Sequence, residues 1–109
     1  MNDHETVSLA IDTLDKLVVE WDVEKNRLNI EKHGVAFDAA AYVFLDEHRL
    51  EYYDASHSID EERYITIGLV DEVLFVVYTE RGNALRLISA RHATRSEEII
   101  YYGQEYYIN

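Results

Sequence analysis

Residues 73–97, VLFVVYTERGNALRLISARHATRSE, place the strongest constraint on how this chain can fold. The segment 73–80 is almost continuously apolar, which is typical of a central strand covered on both faces. Residues 81–83 supply a turn that contains a glycine, and residues 84–91 then alternate in hydrophobicity. The sequence therefore predicts two neighbouring antiparallel strands at the centre of a sheet.

A helix is expected to begin directly after this hairpin. Thr94 and Glu97 fit a capping box, with the threonine at the N-cap and the glutamate at the third helical position. We expect the helix to run from about residue 95 toward residue 107, with Gly103 interrupting it. Its tyrosines could pack on the sheet or offer a surface to a partner, and the sequence leaves both alternatives open.

Four arginines lie in or just after the hairpin: Arg81, Arg86, Arg91 and Arg95. A strictly alternating strand would point Arg86 and Arg91 to opposite faces. A cation just before a helix N-terminus is repelled by the helix dipole, so Arg91 calls for another explanation. We interpret Arg81 and Arg91 as functional candidates, and Arg86 and Arg95 as surface residues.

The chain before the hairpin adds further strands. Residues 63–70 alternate between apolar and polar side chains and connect tightly to the segment 73–80. Residues 49–54 form another candidate strand, followed by a polar loop in which His57 is expected to be an exposed residue. Consecutive short connections predict an antiparallel meander of about four strands.

The first half of the chain predicts helices. Residues 7–15 carry apolar side chains at helical spacing, and residues 17–21 alternate as a short strand would. Asp22 is a suitable N-cap for a helix over residues 23–33 that ends at Gly34. A further helix is expected to start at residue 37 with Asp38 as its N-cap and to end near residue 46. The predicted class is therefore α+β, with N-terminal helices, an antiparallel sheet and a C-terminal helix.

Charge and composition restrict the function. The chain has 109 residues, enough for a single domain, and a formal net charge of −12. Nucleic-acid binders are usually basic, so this charge argues against a protein that coats DNA or RNA. It is compatible with a localised basic patch or with docking onto a basic partner.

The sequence contains no cysteine, so neither a disulfide nor a thiolate metal site is available. The N-terminus lacks the basic region of a signal peptide, and the apolar runs are shorter than a membrane span. We expect a soluble, cytoplasmic protein without membrane contact, and no cofactor or metal is predicted.

The sequence resembles the BrnT-type toxins over about residues 20–102. The matching positions occur in order and include Glu20-Trp21-Asp22, Lys25, Asn29, Lys32-His33-Gly34-Val35, Phe37, Ala40 or Ala41, Val43-Phe44-Leu45-Asp46, Glu62-Arg63, Ile67-Gly68, Val77-Tyr78-Thr79-Glu80-Arg81, Ile88-Ser89-Ala90-Arg91 and Ala93-Thr94. His92 and the acidic pair Glu97-Glu98 depart from the basic residues that the family usually carries there. Residues 1–16 lie outside the resemblance and are read as an N-terminal extension of a toxin domain over residues 17–109.

The resemblance implies a RelE-like fold and the toxin half of a type II toxin–antitoxin pair. It implies a ribonuclease that blocks translation and is neutralised by a small DNA-binding antitoxin, expected to be of the ribbon-helix-helix type. A hetero-oligomer of the two proteins is expected.

RNA cleavage through the 2′-hydroxyl group needs a proton acceptor, cations on the phosphorane and a proton for the leaving oxygen, but no metal ion. The candidate catalytic residues are His33, Glu62, Arg63, Arg81 and Arg91. The candidate substrate-binding residues are Lys32, Tyr78 and His92. Arginine suits phosphate because guanidinium binds it in a bidentate manner, and imidazole exchanges protons near neutral pH.

Each candidate also has a purely structural explanation, as a surface ion pair or a helix-end residue. Two other functions therefore stay open. The chain could be an inactive antitoxin-binding module that serves regulation, or an acidic mimic that occupies a basic nucleic-acid-binding surface.

Overall fold

A computed structural model describes residues 5–12 and 16–104 of the chain. Within these residues the fold has six strands, three α-helices and two short 3-10 helices. The strands are β1 (Thr6–Asp12), β2 (Leu17–Asp22), β3 (Leu50–Tyr53), β4 (Tyr64–Val70), β5 (Glu72–Arg81) and β6 (Ala84–His92). The helices are α1 (Val23–His33), α2 (Phe37–Ala40) and α3 (Arg95–Gly103), and the 3-10 helices are Ala41–Leu45 and Ala55–His57.

The six strands form one mixed sheet in the order β1-β2-β6-β5-β4-β3. The five segments predicted as strands are confirmed as β2 to β6, but the expectation of an antiparallel sheet of about four strands is wrong. Strand β2 runs parallel to β6, with Val19 opposite Leu85, and β1 pairs with the outer edge of β2. The parallel pair joins segments about 65 residues apart, which no local sequence pattern specifies.

The predicted helix over residues 7–15 is also wrong. Residues Thr6–Asp12 form β1, and residues 13–15 lie outside the described part of the chain. Val7 and Leu9 fit a strand as well as a helix, and they lie opposite Trp21 and Val19 of β2. A helix this short is only marginally stable by itself in water, whereas pairing with β2 gives the backbone of this segment partners along its length, and this decides between the two periodicities.

Helix α1 has the predicted boundaries and caps. The Asp22 carboxylate accepts a hydrogen bond from the Lys25 backbone N–H (2.9 Å), and Gly34 takes a left-handed conformation with φ of 71°. Strand β2 stops pairing with β6 after Glu20, where the chain turns into α1. The buried Asn29 side chain of α1 then bonds both backbone groups of Ala90 on the vacated edge of β6.

The helix that follows differs from its prediction. Asp38 is not the N-cap: Ala36 occupies that position, while Asp38 lies in the first turn and bonds the next backbone N–H. The backbone N–H of Phe37 is satisfied by the Asn26 side chain instead (2.8 Å). The α-helix changes to the 3-10 helix Ala41–Leu45 after one turn.

The main core lies between these helices and one face of the sheet, which we call the covered face. It contains Val19, Trp21, Phe37, Val43, Phe44, Val76, Tyr78, Leu87 and Ala90. A second, smaller cluster lies where α3 packs on the sheet, and it contains Ile67, Val73 and Tyr101.

Helix α3 begins with the predicted capping box between Thr94 and Glu97. It ends at Gly103, and the expected continuation beyond residue 104 lies outside the described residues. Tyr101 is buried and donates to the Asp46 carboxylate (2.5 Å), whereas Tyr102 is exposed. The first of these tyrosines is therefore a core residue, which anchors α3 to the rest of the fold.

Candidate functional site

The second face of the sheet carries arginines, and we call it the arginine face. Side chains alternate along β5, so Phe75, Val77 and Thr79 point away from the covered face. Their partners on β6 are Arg91, Ser89 and Arg86, listed in the same order. The same alternation places Arg81 on this face, at the end of β5.

A β-bulge explains why Arg86 and Arg91 share a face. The register between β5 and β6 shifts at Val77/Tyr78, so that Ile88 is an extra residue on β6. The two arginines are five positions apart in the sequence, and an unbroken strand would direct them to opposite faces. The strict alternation predicted for residues 84–91 is therefore wrong at this point.

A surface cavity of about 430 Å³ opens on the arginine face. Its apolar part is formed by Ile65, Phe75, Val77 and Ile88, and its polar part by Asp54, Ser56, His57, Arg63 and Ser89. The Arg63 Nε atom is buried and has no hydrogen-bond partner among the described residues. The backbone of Arg63 is fixed, because its N–H donates to the Ser58 hydroxyl (2.8 Å) and its C=O accepts from Asp54 (2.9 Å).

Arg91 lies beside the cavity, with its guanidinium 3.9 Å from the centre of the Phe75 ring. Two parallel hydrogen bonds of 2.8 and 3.0 Å join this guanidinium to the Glu97 carboxylate. The bonds from Arg91 lower the pKa of Glu97 below its ordinary value of 4.5, and the capping-box bonds from Thr94 act in the same direction. Arg91 is therefore already bound to an anion that belongs to the same chain.

The other arginines of this face differ in their partners. Arg86 and Glu20 form a largely buried ion pair of 2.6 Å, with side chains 17% and 18% exposed. Arg81 is exposed and lies 3.5 Å from the Glu61 carboxylate. None of the ion pairs within residues 5–12 and 16–104 includes Arg63. Arg63 is thus the arginine of this face best able to accept an external anion.

Sequence reasoning missed the arrangement of Asp54 and His57. Nδ1 of His57 lies 3.0 Å and 3.2 Å from the two carboxylate oxygens of Asp54, and the Ser56 hydroxyl donates to the same carboxylate (3.0 Å). Partial desolvation opposes ionisation of Asp54, but the bonds from Ser56 and His57 outweigh it and lower its pKa. The sequence signal was the Asp-x-Ser-His spacing in a loop without glycine or proline.

The remaining predicted residues lie away from the cavity. Lys32 and His33 are at the C-terminal end of α1, a helix that packs against β6 through Asn29 on the other side of the sheet. Glu62 is exposed; desolvation of the Tyr64 side chain, and after it the charge of Glu62, raise the pKa of Tyr64, which stacks on Tyr78. The fold does not bring these groups to the cavity that Arg63 lines.

Tyr78 and His92 also lie outside the cavity. Tyr78 is 5% exposed and belongs to the main core, where its hydroxyl donates to the Glu51 carboxylate (2.6 Å). Burial and this hydrogen bond raise its pKa well above the usual range of tyrosine. His92 is half exposed at the end of β6, with Nδ1 3.8 Å from the Glu72 carboxylate.

Two other kinds of site are absent from the described residues. In the part of the chain that the structure describes, no group of three or more metal-ligating side chains is arranged to hold an ion. Among the helices of that part, none has the length and apolar character that a bilayer-spanning helix needs.

Comparison with known proteins adds two similarities. Residues 21–97 match the family model described as "Ribonuclease toxin, BrnT, of type II toxin-antitoxin system". The fold is similar to the crystal structure of the Brucella abortus ribonuclease toxin BrnT, with a TM-score of 0.53 and 28% sequence identity. That similarity covers 69% of this chain and 94% of the Brucella chain. No curated protein matches the sequence. The family match includes Arg63, Arg81, Arg86 and Arg91 and begins after β1.

Proposed function

This chain belongs to the BrnT family of ribonuclease toxins of type II toxin–antitoxin systems, and on that premise we propose that it is an endoribonuclease that binds RNA on the arginine face. One observation carries the proposal. On a protein of net charge −12, Arg81, Arg86 and Arg91 share one face of the sheet, and Arg63 lines a cavity with an apolar floor on that face. Guanidinium groups bind phosphate and apolar or aromatic side chains accept unstacked bases, so this face suits single-stranded RNA.

The proposed reaction uses the 2′-hydroxyl group of the RNA as nucleophile and needs no metal ion. Arg63 is the best-supported phosphate ligand, because it lines the cavity and has no ion pair within the described part of the chain. Arg91 and Arg81 are proposed beside it, and a phosphate would compete with their carboxylate partners. Arginines that contact the phosphorane stabilise its negative charge, and this lowers the barrier because it favours the transition state over the bound substrate.

The other sequence candidates keep their proposed roles with less support. These residues are His33 and Glu62 for proton transfer and Lys32, Tyr78 and His92 for substrate contact. None of them is among the described residues that line the cavity. A role in catalysis would require RNA to extend beyond the arginine face.

We further propose that the substrate is messenger RNA and that its cleavage blocks translation in the cytoplasm. The ribosome would help position the message, which offsets the repulsion that an acidic protein exerts on free RNA. Membership of a type II family implies an antitoxin partner. We propose a small DNA-binding antitoxin of the ribbon-helix-helix type, a hetero-oligomer with it, and a relationship to the RelE-like toxins. Residues 1–109 are proposed to form one domain, with residues 1–16 as an extension of the toxin unit over residues 17–109.

A second function is an inactive module that binds the antitoxin and serves regulation. The observation that favours it is the engagement of Arg81, Arg86 and Arg91 by carboxylates of the same chain. Such a protein would co-purify tightly with a small basic partner and would cleave no RNA.

Inducible expression without an antitoxin separates the two functions. The ribonuclease hypothesis predicts growth arrest within the first generations after induction, together with new 5′ ends in cellular messages detected by primer extension. Normal growth with intact messages, at a protein level confirmed by immunoblot, would exclude the ribonuclease and favour the inactive module.

A further inference from the structure

We propose that His57, held by Asp54, is the general base that takes the proton from the 2′-hydroxyl group of the RNA. The inference rests on the proposed ribonuclease function and assigns a catalytic residue within it. Three observations support it: the orientation of the imidazole, its fixed relation to Arg63, and its position between two cavities.

The hydrogen bonds of the turn orient the imidazole ring of His57. The Asp54 carboxylate lies 3.0 Å from Nδ1, and the Ser56 hydroxyl donates its own proton to Asp54. The ionised carboxylate therefore favours the tautomer with a proton on Nδ1, which leaves the Nε2 lone pair free to accept a proton.

The turn that holds His57 is tied to Arg63 by the Ser58 hydroxyl and by the backbone. Ser58 donates to the Asp54 C=O (2.6 Å) and accepts from the Arg63 N–H (2.8 Å), while the Asp54 N–H donates to the Arg63 C=O (2.9 Å). These bonds fix the turn that carries His57 relative to the backbone of Arg63, and both side chains line the same cavities. A base and a phosphate ligand must act on adjacent atoms of one nucleotide, so this coupling is what the reaction needs.

His57 also lies between two cavities. The cavity of about 430 Å³ on the arginine face adjoins a second one of about 300 Å³, and both are lined by Ser56, His57 and Arg63. Asp60 and Glu61 line the smaller cavity, so it suits a base or ribose better than a phosphate. An RNA strand across both cavities would place a nucleotide on each side of a phosphate at the shared wall.

In the proposed step, a bond from phosphorus to the 2′-oxygen replaces the bond from phosphorus to the 5′-oxygen. Nε2 of His57 takes the 2′-hydroxyl proton, and the 2′-oxygen forms a bond to phosphorus. The bond from phosphorus to the 5′-oxygen breaks, its electron pair goes to that oxygen, and solvent protonates it. The products are a 2′,3′-cyclic phosphate and a free 5′-hydroxyl group, and the imidazolium returns its proton to solvent.

The test compares His57→Ala, Asp54→Asn and the control His48→Ala, all in the full chain. His48 is an exposed histidine that lines neither cavity, so its replacement removes an imidazole elsewhere. A reporter message in a reconstituted translation reaction serves as substrate, and primer extension measures the rate at which new 5′ ends form. Thermal unfolding of each variant checks that it folds as the wild type does.

We expect His57→Ala to lower the cleavage rate by about 10²- to 10⁴-fold, the usual contribution of a positioned general base. Added imidazole should restore part of the rate to His57→Ala and none to Arg63→Ala, because it replaces a missing base and not a missing guanidinium. Asp54→Asn should lower the rate less than His57→Ala does, and His48→Ala should leave it within about twofold of wild type.

The possible failures are distinguishable. Cleavage by His57→Ala at the wild-type rate would overturn the role of His57 and leave the proposed ribonuclease function intact. A His57→Ala variant that is slow and that added imidazole does not rescue would also overturn the role of His57 as a base. The residue would then support the structure of the site without accepting the proton. A wild-type protein that cleaves no message would refute the proposed function itself.

Discussion

The carboxylate of Glu97 binds the guanidinium of Arg91 through two parallel hydrogen bonds of 2.8 and 3.0 Å. This is the geometry in which arginine binds a phosphate, so the chain supplies its own anion at the position proposed for RNA. Glu97 also completes the capping box with Thr94, which fixes its position at the start of α3. A substrate phosphate must therefore compete with a preorganised carboxylate.

The first prediction concerns this competition. Glu97→Gln keeps a residue that can complete the capping box but removes the negative charge beside Arg91. We expect binding of a single-stranded RNA of mixed sequence to strengthen by about 1.4- to fivefold, as loss of a competing charge pair of roughly 0.2–1 kcal/mol would give. Fluorescence anisotropy at constant ionic strength measures the change. Glu98→Gln is the matched control because it removes the same charge one residue away; equal gains in both variants would assign the effect to net charge alone.

The second prediction concerns stability in acid. Desolvation opposes ionisation of Asp46, but hydrogen bonds from Tyr101, Leu69 and His48 outweigh it and lower its pKa below the ordinary value of 3.8. A carboxyl with a depressed pKa in the folded state stabilises the fold above its unfolded pKa, and this contribution is lost as the pH falls through the folded value. The urea concentration at the unfolding midpoint of the wild type should therefore decrease as the pH is lowered below about 4.

Asp46→Asn should flatten that decline, because the substituted side chain no longer titrates. Glu47→Gln is the control, since Glu47 is exposed and makes no hydrogen bond or ion pair among the described residues. Urea midpoints measured at several pH values give the comparison. An unchanged slope in Asp46→Asn would contradict the role assigned to this carboxyl.

The third prediction uses two glycines. A Cβ atom at Gly68 would lie 2.5 Å from Val43 Cγ2 and 3.2 Å from Arg49 Cβ, so Gly68→Ala should destabilise the fold by about 1–3 kcal/mol. Nothing lies within 4 Å of a Cβ at Gly103, at the end of α3, and Gly103→Ala should be neutral or stabilise by up to about 1 kcal/mol. Urea unfolding measures both. We expect the free energy of unfolding to fall in Gly68→Ala and to stay the same or rise in Gly103→Ala. A Gly68→Ala protein as stable as the wild type would show that the sheet and the 3-10 helix are not packed as described.

The fourth prediction concerns the edge of β6. The Asn29 amide donates to the C=O groups of Ala90 and Val35 and accepts from the Ala90 N–H, so its loss leaves buried backbone groups unpaired. Asn29→Ala should lower the free energy of unfolding by about 2–4 kcal/mol. Asn83→Ala, in the exposed turn between β5 and β6, should change it by less than about 0.5 kcal/mol. Similar losses at both positions would contradict the bridging role of Asn29.

Much of the fold could be predicted because its signals are local. The caps of α1 at Asp22 and Gly34, the capping box of α3 and the hairpin of β5 and β6 all depend on residues close together in sequence. The parallel pairing of β2 with β6 could not be predicted, because a short alternating segment does not specify its partner. For the same reason the sequence predicts a helix at β1, whose pairing with β2 only the structure shows.

The candidate site was predicted in part. Arg63 and Arg91 were identified from the sequence, and they do border one cavity. The bulge at Ile88, which turns Arg86 onto the same face, depends on the register of two strands and leaves no sequence signature here. His57 was assigned to a loop because its polar surroundings carry no periodicity, and its link to Asp54 is a matter of side-chain geometry.

The most direct test of the account is message cleavage by Arg63→Ala. Purified wild type, Arg63→Ala and Arg27→Ala are added to a reconstituted translation reaction with one reporter message, and new 5′ ends are counted by primer extension. Arg27 is the matched control, since it is an exposed arginine on α1 paired with Glu24 and Glu31, away from the arginine face.

We expect Arg63→Ala to lower cleavage by about 10²-fold or more, the usual cost of removing one group that stabilises developing charge, and Arg27→Ala to cleave like the wild type. Cleavage by Arg63→Ala at the wild-type rate would contradict the account, because RNA would then be cut without the cation at the centre of the proposed site.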